Sequence, residues 1–173
     1  MKDDDALLLD WVETIAGSEV GSVLRSAATE NPGRISRAYQ ELLGVGQTDS
    51  VMLLKVTKEL DGTEDAGELT IDELRFASMC PHHFLPYFGT GTLTYKPKKR
   101  IMGLGKIPRF VESHARGFWL QEELTVDLVN VFARAAEPEY ISIELTSVHL
   151  CICSRGPRSF GETITRHVWS DQP

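Results

Sequence analysis

Cysteine is scarce in this 173-residue chain: there are three, an odd number, and Cys151 and Cys153 stand only two positions apart. A framework of paired disulfides is therefore excluded, and free thiols suit a reducing compartment. Long apolar runs are also missing. Leu7-Leu8-Leu9 falls far short of the roughly 20 residues needed to span a bilayer. Asp3-Asp4-Asp5 precede it where a secretory leader would carry positive charge. The expectation is a soluble, cytoplasmic protein with no membrane partner. Basic charge is in deficit, with 18 Lys and Arg against 25 Asp and Glu and a net charge of −7. That argues against a general nucleic-acid binder but leaves room for a local basic pocket. There are no internal repeats and no low-complexity segments.

Apolar residues make up 42% and charged residues 25%, an ordinary globular balance in a chain long enough to bury a core as one structural unit. Its front part, residues 1–45, reads as helical. Leu8, Leu9, Val12, Ile15 and Ala16 recur at helical spacing over 5–16 before Gly17, and a second helix covers about 19–28. A third runs over about 34–43, with Ile35, Ala38, Leu42 and Leu43 as its buried stripe. Arg34 and Arg37 are three apart and share a face, which alone describes an ordinary solvated surface.

Strand chemistry dominates residues 46–173 once a loop-rich stretch to 68 is passed. Residues 69–78 lead into Cys80, and 84–95 carry Gly89 and Gly91 between apolar neighbours. Gly103-Leu104-Gly105-Lys106 reads as a glycine-rich turn that lets backbone approach a ligand, and Arg109 follows. Over 121–136, Leu124, Leu128, Val131 and Ala135 mark the clearest helix, closed by Glu137-Pro138. Glu122 and Glu123 lie in its first turn, where the helix dipole favours negative charge. Residues 140–153 alternate so that Ile141, Ile143, Leu145, Ser147, His149, Cys151 and Cys153 share one face. His149 and Cys151 are thus expected side by side near a strand end. A final strand-like piece covers 163–169.

Two short stretches carry metal chemistry: Cys80-Pro81-His82-His83 and His149-Leu150-Cys151. Cys80, His83 and Cys151 have the count of a catalytic zinc site, with three protein ligands and an open fourth position. On spacing alone, a closed structural zinc with His149 or Cys153 as fourth ligand is the alternative, and iron also accepts imidazole and thiolate. An open site leaves His82 and His149 free for proton transfer. Arg34, Arg37, Lys106, Arg109 and Arg155 form a basic set suited to phosphates, and Glu122 can accept from the N–H groups of a base. Together these imply a nucleotide attacked by water.

In this order the motifs resemble those of the GTP cyclohydrolase I family: Cys-Glu-His-His, Gly-Leu-Ser-Lys-x-x-Arg, Gln-Glu-Arg-Leu-Thr and His-x-Cys-x-x-x-Arg-Gly. The corresponding stretches begin at Cys80, Gly103, Gln121 and His149, and Asn31-Pro32-Gly33-Arg34-Ile35-Ser36-Arg37 resembles the family's helix start upstream. The likeness runs from about residue 30 to 165. It implies an α+β T-fold, an antiparallel four-stranded sheet with two helices on one face, preceded by N-terminal helices. Residues 46–173 would be the catalytic domain of a homo-oligomer, a decamer with active sites between subunits. Zinc, or another divalent metal such as iron(II), would be held by Cys80, His83 and Cys151. His82 would supply a proton for opening the guanine imidazole ring, and His149 would assist transfer and formate release. Gln121 and Glu122 would bind the guanine edge. Arg34 and Arg37 from a neighbouring subunit, with Lys106, Arg109 and Arg155, would cradle the triphosphate. The implied reaction converts GTP to formate and 7,8-dihydroneopterin triphosphate.

The chain departs from the family pattern in four places. Pro81 replaces a Glu, Gly105 replaces a Ser assigned to later proton transfer, and Glu123 replaces an Arg. The segment from Arg116 to Glu122 is one residue longer. These departures point to two alternatives. One member of the family type would stop at a ring-opened pyrimidine nucleotide or take another purine nucleotide. The other would be a non-catalytic zinc-containing binding module. A related nitrile reductase, using a catalytic cysteine and a nicotinamide, fits the Cys/His set poorly.

Overall fold

The computed structural model describes residues 5–171. It divides into two compact units, residues 1–45 and 46–173. The first holds α1 (Ala6–Ala16), α2 (Ser18–Glu30) and α3 (Arg34–Leu42). Gly17, at φ +86°, separates α1 from α2, and Arg25 ties the pair by bonding Asp10 at 2.8 Å and Glu13 at 2.7 Å. The Asp5 carboxylate accepts from the Gly33 and Ser36 amides, at 2.9 and 2.8 Å, and from the Ser36 hydroxyl. It therefore sits at the amino end of α3, where free amides and the helix dipole favour an anion. The expected buried stripe of α3 is corrected: Ile35, Leu42 and Leu43 are only partly covered and Ala38 is exposed. Helical spacing sets a face, but burial needs a partner that covers it fully.

In the second unit, β2 (Leu69–Cys80), β3 (Leu85–Lys96), β5 (Tyr140–His149) and β6 (Thr163–Ser170) form an antiparallel sheet in the order β2-β3-β5-β6. A smaller ladder pairs β1 (Val56–Glu59) with β4 (Arg100–Met102). Two helices, α4 (Ile107–His114) and α5 (Gln121–Ala136), cover one face of the large sheet. Leu74, Leu93, Ile141 and Leu145 from the strands meet Phe110, Leu124, Leu128 and Phe132 from the helices, all almost wholly buried. The architecture is the expected α+β one. Among the described residues, no helix is long and apolar enough to cross a membrane.

The sheet depends on a close approach at Gly89. A side chain there would put its first carbon 1.9 Å from the Thr146 carbonyl oxygen of β5, which no residue but glycine permits.

After the glycine-rich turn the chain enters α4 at Ile107, a helix that the sequence pattern does not mark; Pro108 stands in its first turn, where proline costs no hydrogen bond. One local expectation is corrected: β5 ends at His149, and Leu150–Cys153 forms a single helical turn, α6. Cys151 and Cys153 therefore leave the strand, and His149 and Cys151 are not neighbours on one sheet face. Alternating residues are compatible with both conformations over so short a stretch.

Candidate active site

Strands β2 and β5 end at the same edge of the sheet, carrying Cys80 and His149 to one place. Tyr87 of β3 pairs with His149, and Leu85 pairs with Cys80. The chain leaves β2 through Pro81-His82-His83 and leaves β5 through α6, and both turns fold over this edge. Between them lies a cavity of about 600 Å³, a size suited to a small molecule. Its lining includes Cys80, His82, His83, Cys151, His149 and Glu122.

The ligating atoms of Cys80, His83 and Cys151 lie within 4.8 Å of one another. Both thiols are buried, His83 is exposed, and its Nδ1 stands 3.7 Å from the Cys80 Sγ. Burial, and then the adjacent Cys80, push the Cys151 thiol up, while Arg155 pulls the other way. A metal cation would offset that cost by replacing both thiol protons. Two thiolates and an imidazole are a donor set that suits zinc or iron, so the residues fit such an ion.

His149 is held from two sides. Its ring lies flat against Tyr87, with centroids 4.3 Å apart and 5° between planes. Its Nε2 is 2.7 Å from Oε1 of Gln121. The Gln121 amide nitrogen donates to the Leu145 and Thr163 carbonyls, both at 3.1 Å, so Oε1 is the acceptor toward His149 and toward the Ser147 hydroxyl at 2.6 Å. Nε2 therefore carries the proton and Nδ1 keeps its lone pair. Burial lowers the His149 pKa, and the charge of Glu122 opposes it. Gln121 is 1% exposed. Its polar atoms are consumed by the protein, which makes it a holder of His149. Burial pushes the Tyr87 phenol up to about 12, so it stays protonated and donates to the Trp119 carbonyl at 3.2 Å.

The cavity thus gathers seven of the expected residues: Cys80, His82, His83, Gln121, Glu122, His149 and Cys151. Arg155, exposed just beyond α6, lies close enough for its charge to act on Cys151. Lys106 and Arg109 do not line it. Arg109 borders a separate cleft with Glu73, Arg75, Pro108 and Glu112. Arg34 and Arg37 belong to the other unit and are exposed on α3, where Arg37 donates to the Pro32 carbonyl at 3.2 Å. Tyr87 and Trp119 also line the cavity, and neither belongs to a motif of the sequence. Trp119 lies in the segment between Arg116 and Glu122, where the resemblance implies an added residue.

The sequence profile of the GTP cyclohydrolase I family matches residues 17–172. The chain is 32% identical over 167 residues to GTP cyclohydrolase 1 of Janthinobacterium sp. (strain Marseille), covering 95% of this chain and 82% of that protein. It is 31% identical over 141 residues to GTP cyclohydrolase 1 of Campylobacter jejuni subsp. doylei, covering 82% and 73%. Among solved structures it resembles that of the archaeosine synthase QueF-Like in the apo form, with a TM-score of 0.48 and 19% identity over 60% of this chain and 95% of the other. With the profile spanning nearly the whole chain and curated relatives above 30% identity, the chain belongs to the GTP cyclohydrolase I family of hydrolases.

Proposed function

We propose that this protein opens the guanine imidazole ring of GTP hydrolytically, releasing formate and forming 7,8-dihydroneopterin triphosphate. The observation that supports this best is the meeting of Cys80, His83 and Cys151 with His82, His149 and Glu122 around one cavity. Zinc held by the first three would supply Lewis acidity and lower the pKa of water. His82 lies exposed at the mouth, its ring centroid 6.2 Å from that of His83, and would donate the proton that helps the ring open. His149, protonated on Nε2 by its bond to Gln121, would accept or return a proton at Nδ1. Glu122 at the head of α5 would accept from the N–H groups of the guanine edge. Gln121 would act indirectly, by fixing His149.

Arg155 would meet the triphosphate from within the chain. Lys106, Arg109, Arg34 and Arg37 would serve the cavity of a neighbouring copy, in a cytoplasmic homo-oligomer of the decameric kind. Residues 46–173 would be the catalytic domain and 1–45 its helical extension.

A second reading rests on Gly105. It has open space where a side chain would stand, and it offers no hydroxyl. The reaction would then end at the ring-opened pyrimidine nucleotide. Incubation with GTP and zinc separates the two: formate with pterin fluorescence supports the full reaction, and formate without fluorescence the shorter one. GTP left unchanged would exclude both.

A further inference from the structure

Trp119 lies in the segment that connects α4 to α5 and is held there by several contacts. Its amide donates to the Met79 carbonyl at 3.2 Å, and Met79 donates to the Gly117 carbonyl at 2.9 Å, next to Cys80. Its own carbonyl accepts from Tyr87. The indole then stacks on His114, with centroids 5.6 Å apart and 26° between planes. His114 is itself fixed at both nitrogens: Ser50 Oγ lies 2.7 Å from Nδ1, and Asp127 Oδ2 lies 2.8 Å from Nε2. Only 10% of the His114 side chain is exposed. Backbone pairing and a phenol thus fix the main chain of Trp119, a buttressed imidazole fixes its ring, and the residue lines the metal-ligating cavity beside Glu122.

We propose that Trp119 is the platform on which the purine ring of the substrate stacks, and that His114 is the positioning residue that holds it. The inference rests on the proposed guanine-nucleotide substrate and adds a group to its pocket. A rigid aromatic face loses little conformational freedom on binding and accepts any heterocyclic base by stacking.

The test uses the full-length zinc-loaded protein. Stacking predicts that Trp119→Leu raises KM for GTP about ten-fold or more, with a smaller effect on kcat and unchanged zinc content. Trp119→Phe keeps a ring and should stay within about three-fold of the original KM. GTP should quench a fluorescence component that Trp119→Phe lacks, whereas inorganic tripolyphosphate, which has no base, should not. His114→Leu should raise KM in the same direction and leave tripolyphosphate inhibition unaltered. Should Trp119→Leu fail to fold, the quenching comparison with Trp119→Phe decides. GTP consumption with an unchanged KM in a folded Trp119→Leu, or equal quenching by tripolyphosphate, overturns the platform and spares the proposed reaction. Quenching by GTP without turnover does the reverse, and GTP that neither binds nor reacts overturns both.

Discussion

The imidazole of His149 lies flat on the phenol of Tyr87, with ring centroids 4.3 Å apart and planes 5° from parallel. Gln121 grips the same imidazole at Nε2. The ring therefore has one orientation and one tautomer before any substrate arrives. His149→Ala should lower kcat by roughly 10²- to 10⁴-fold, the range for a lost general acid–base group. Gln121→Leu should lower kcat by a smaller factor, and it should also cost about 2–3 kcal/mol of stability because the Ser147 and Thr165 hydroxyls lose a buried partner. Steady-state kinetics paired with urea unfolding checks both. A Gln121→Leu enzyme with normal kcat would show that the grip on His149 is dispensable.

Metal binding should be strongly pH-dependent. Burial raises the Cys151 thiol, and both thiols must shed protons to become ligands. Zinc uptake near neutral pH should release about two protons per ion. Calorimetry in buffers of different ionisation enthalpy measures that number. Cys151→Ser should weaken zinc binding and lower proton release.

The close approach of β3 to β5 makes Gly89 irreplaceable. Gly89→Ala would drive a methyl into the Thr146 carbonyl and should cost about 2 kcal/mol or more, seen as a lower melting temperature. Gly105→Ala, where nothing stands within 4 Å, should leave the melting temperature nearly unchanged.

Acid should loosen the helical unit in a defined window. The hydrogen bond from Ser36 holds the Asp5 carboxyl below the usual carboxylate range. A folded pKa below the unfolded one means that the stabilisation is complete above about pH 4 and fades as pH falls through the depressed value. Asp5→Asn should flatten that part of the stability-versus-pH curve measured by circular dichroism.

How much of this could be read from the chain varies element by element. The bounds of α5 follow from its apolar period and from Glu137-Pro138, and strand β5 follows from its alternation as far as His149. Helix α4 was hidden because glycines and Pro108 look like turn chemistry, whereas a first-turn proline is tolerated. The fold of Cys151 out of the strand left no mark, since four residues fit either period. Tyr87 is a site residue through a contact across 32 residues of sequence, and pairing at that range leaves no local pattern. The spacing of Cys80, His83 and Cys151, in contrast, named a cluster that the structure draws within 4.8 Å.

Whether this cavity opens the purine ring of GTP is decided by mass spectrometry of the products after GTP is incubated with the zinc-loaded protein and with His82→Ala. Dihydroneopterin triphosphate and formate should form with the first, and intact GTP with zinc still bound should remain with the second. Intact GTP from the zinc-loaded wild-type protein would contradict ring opening in this cavity.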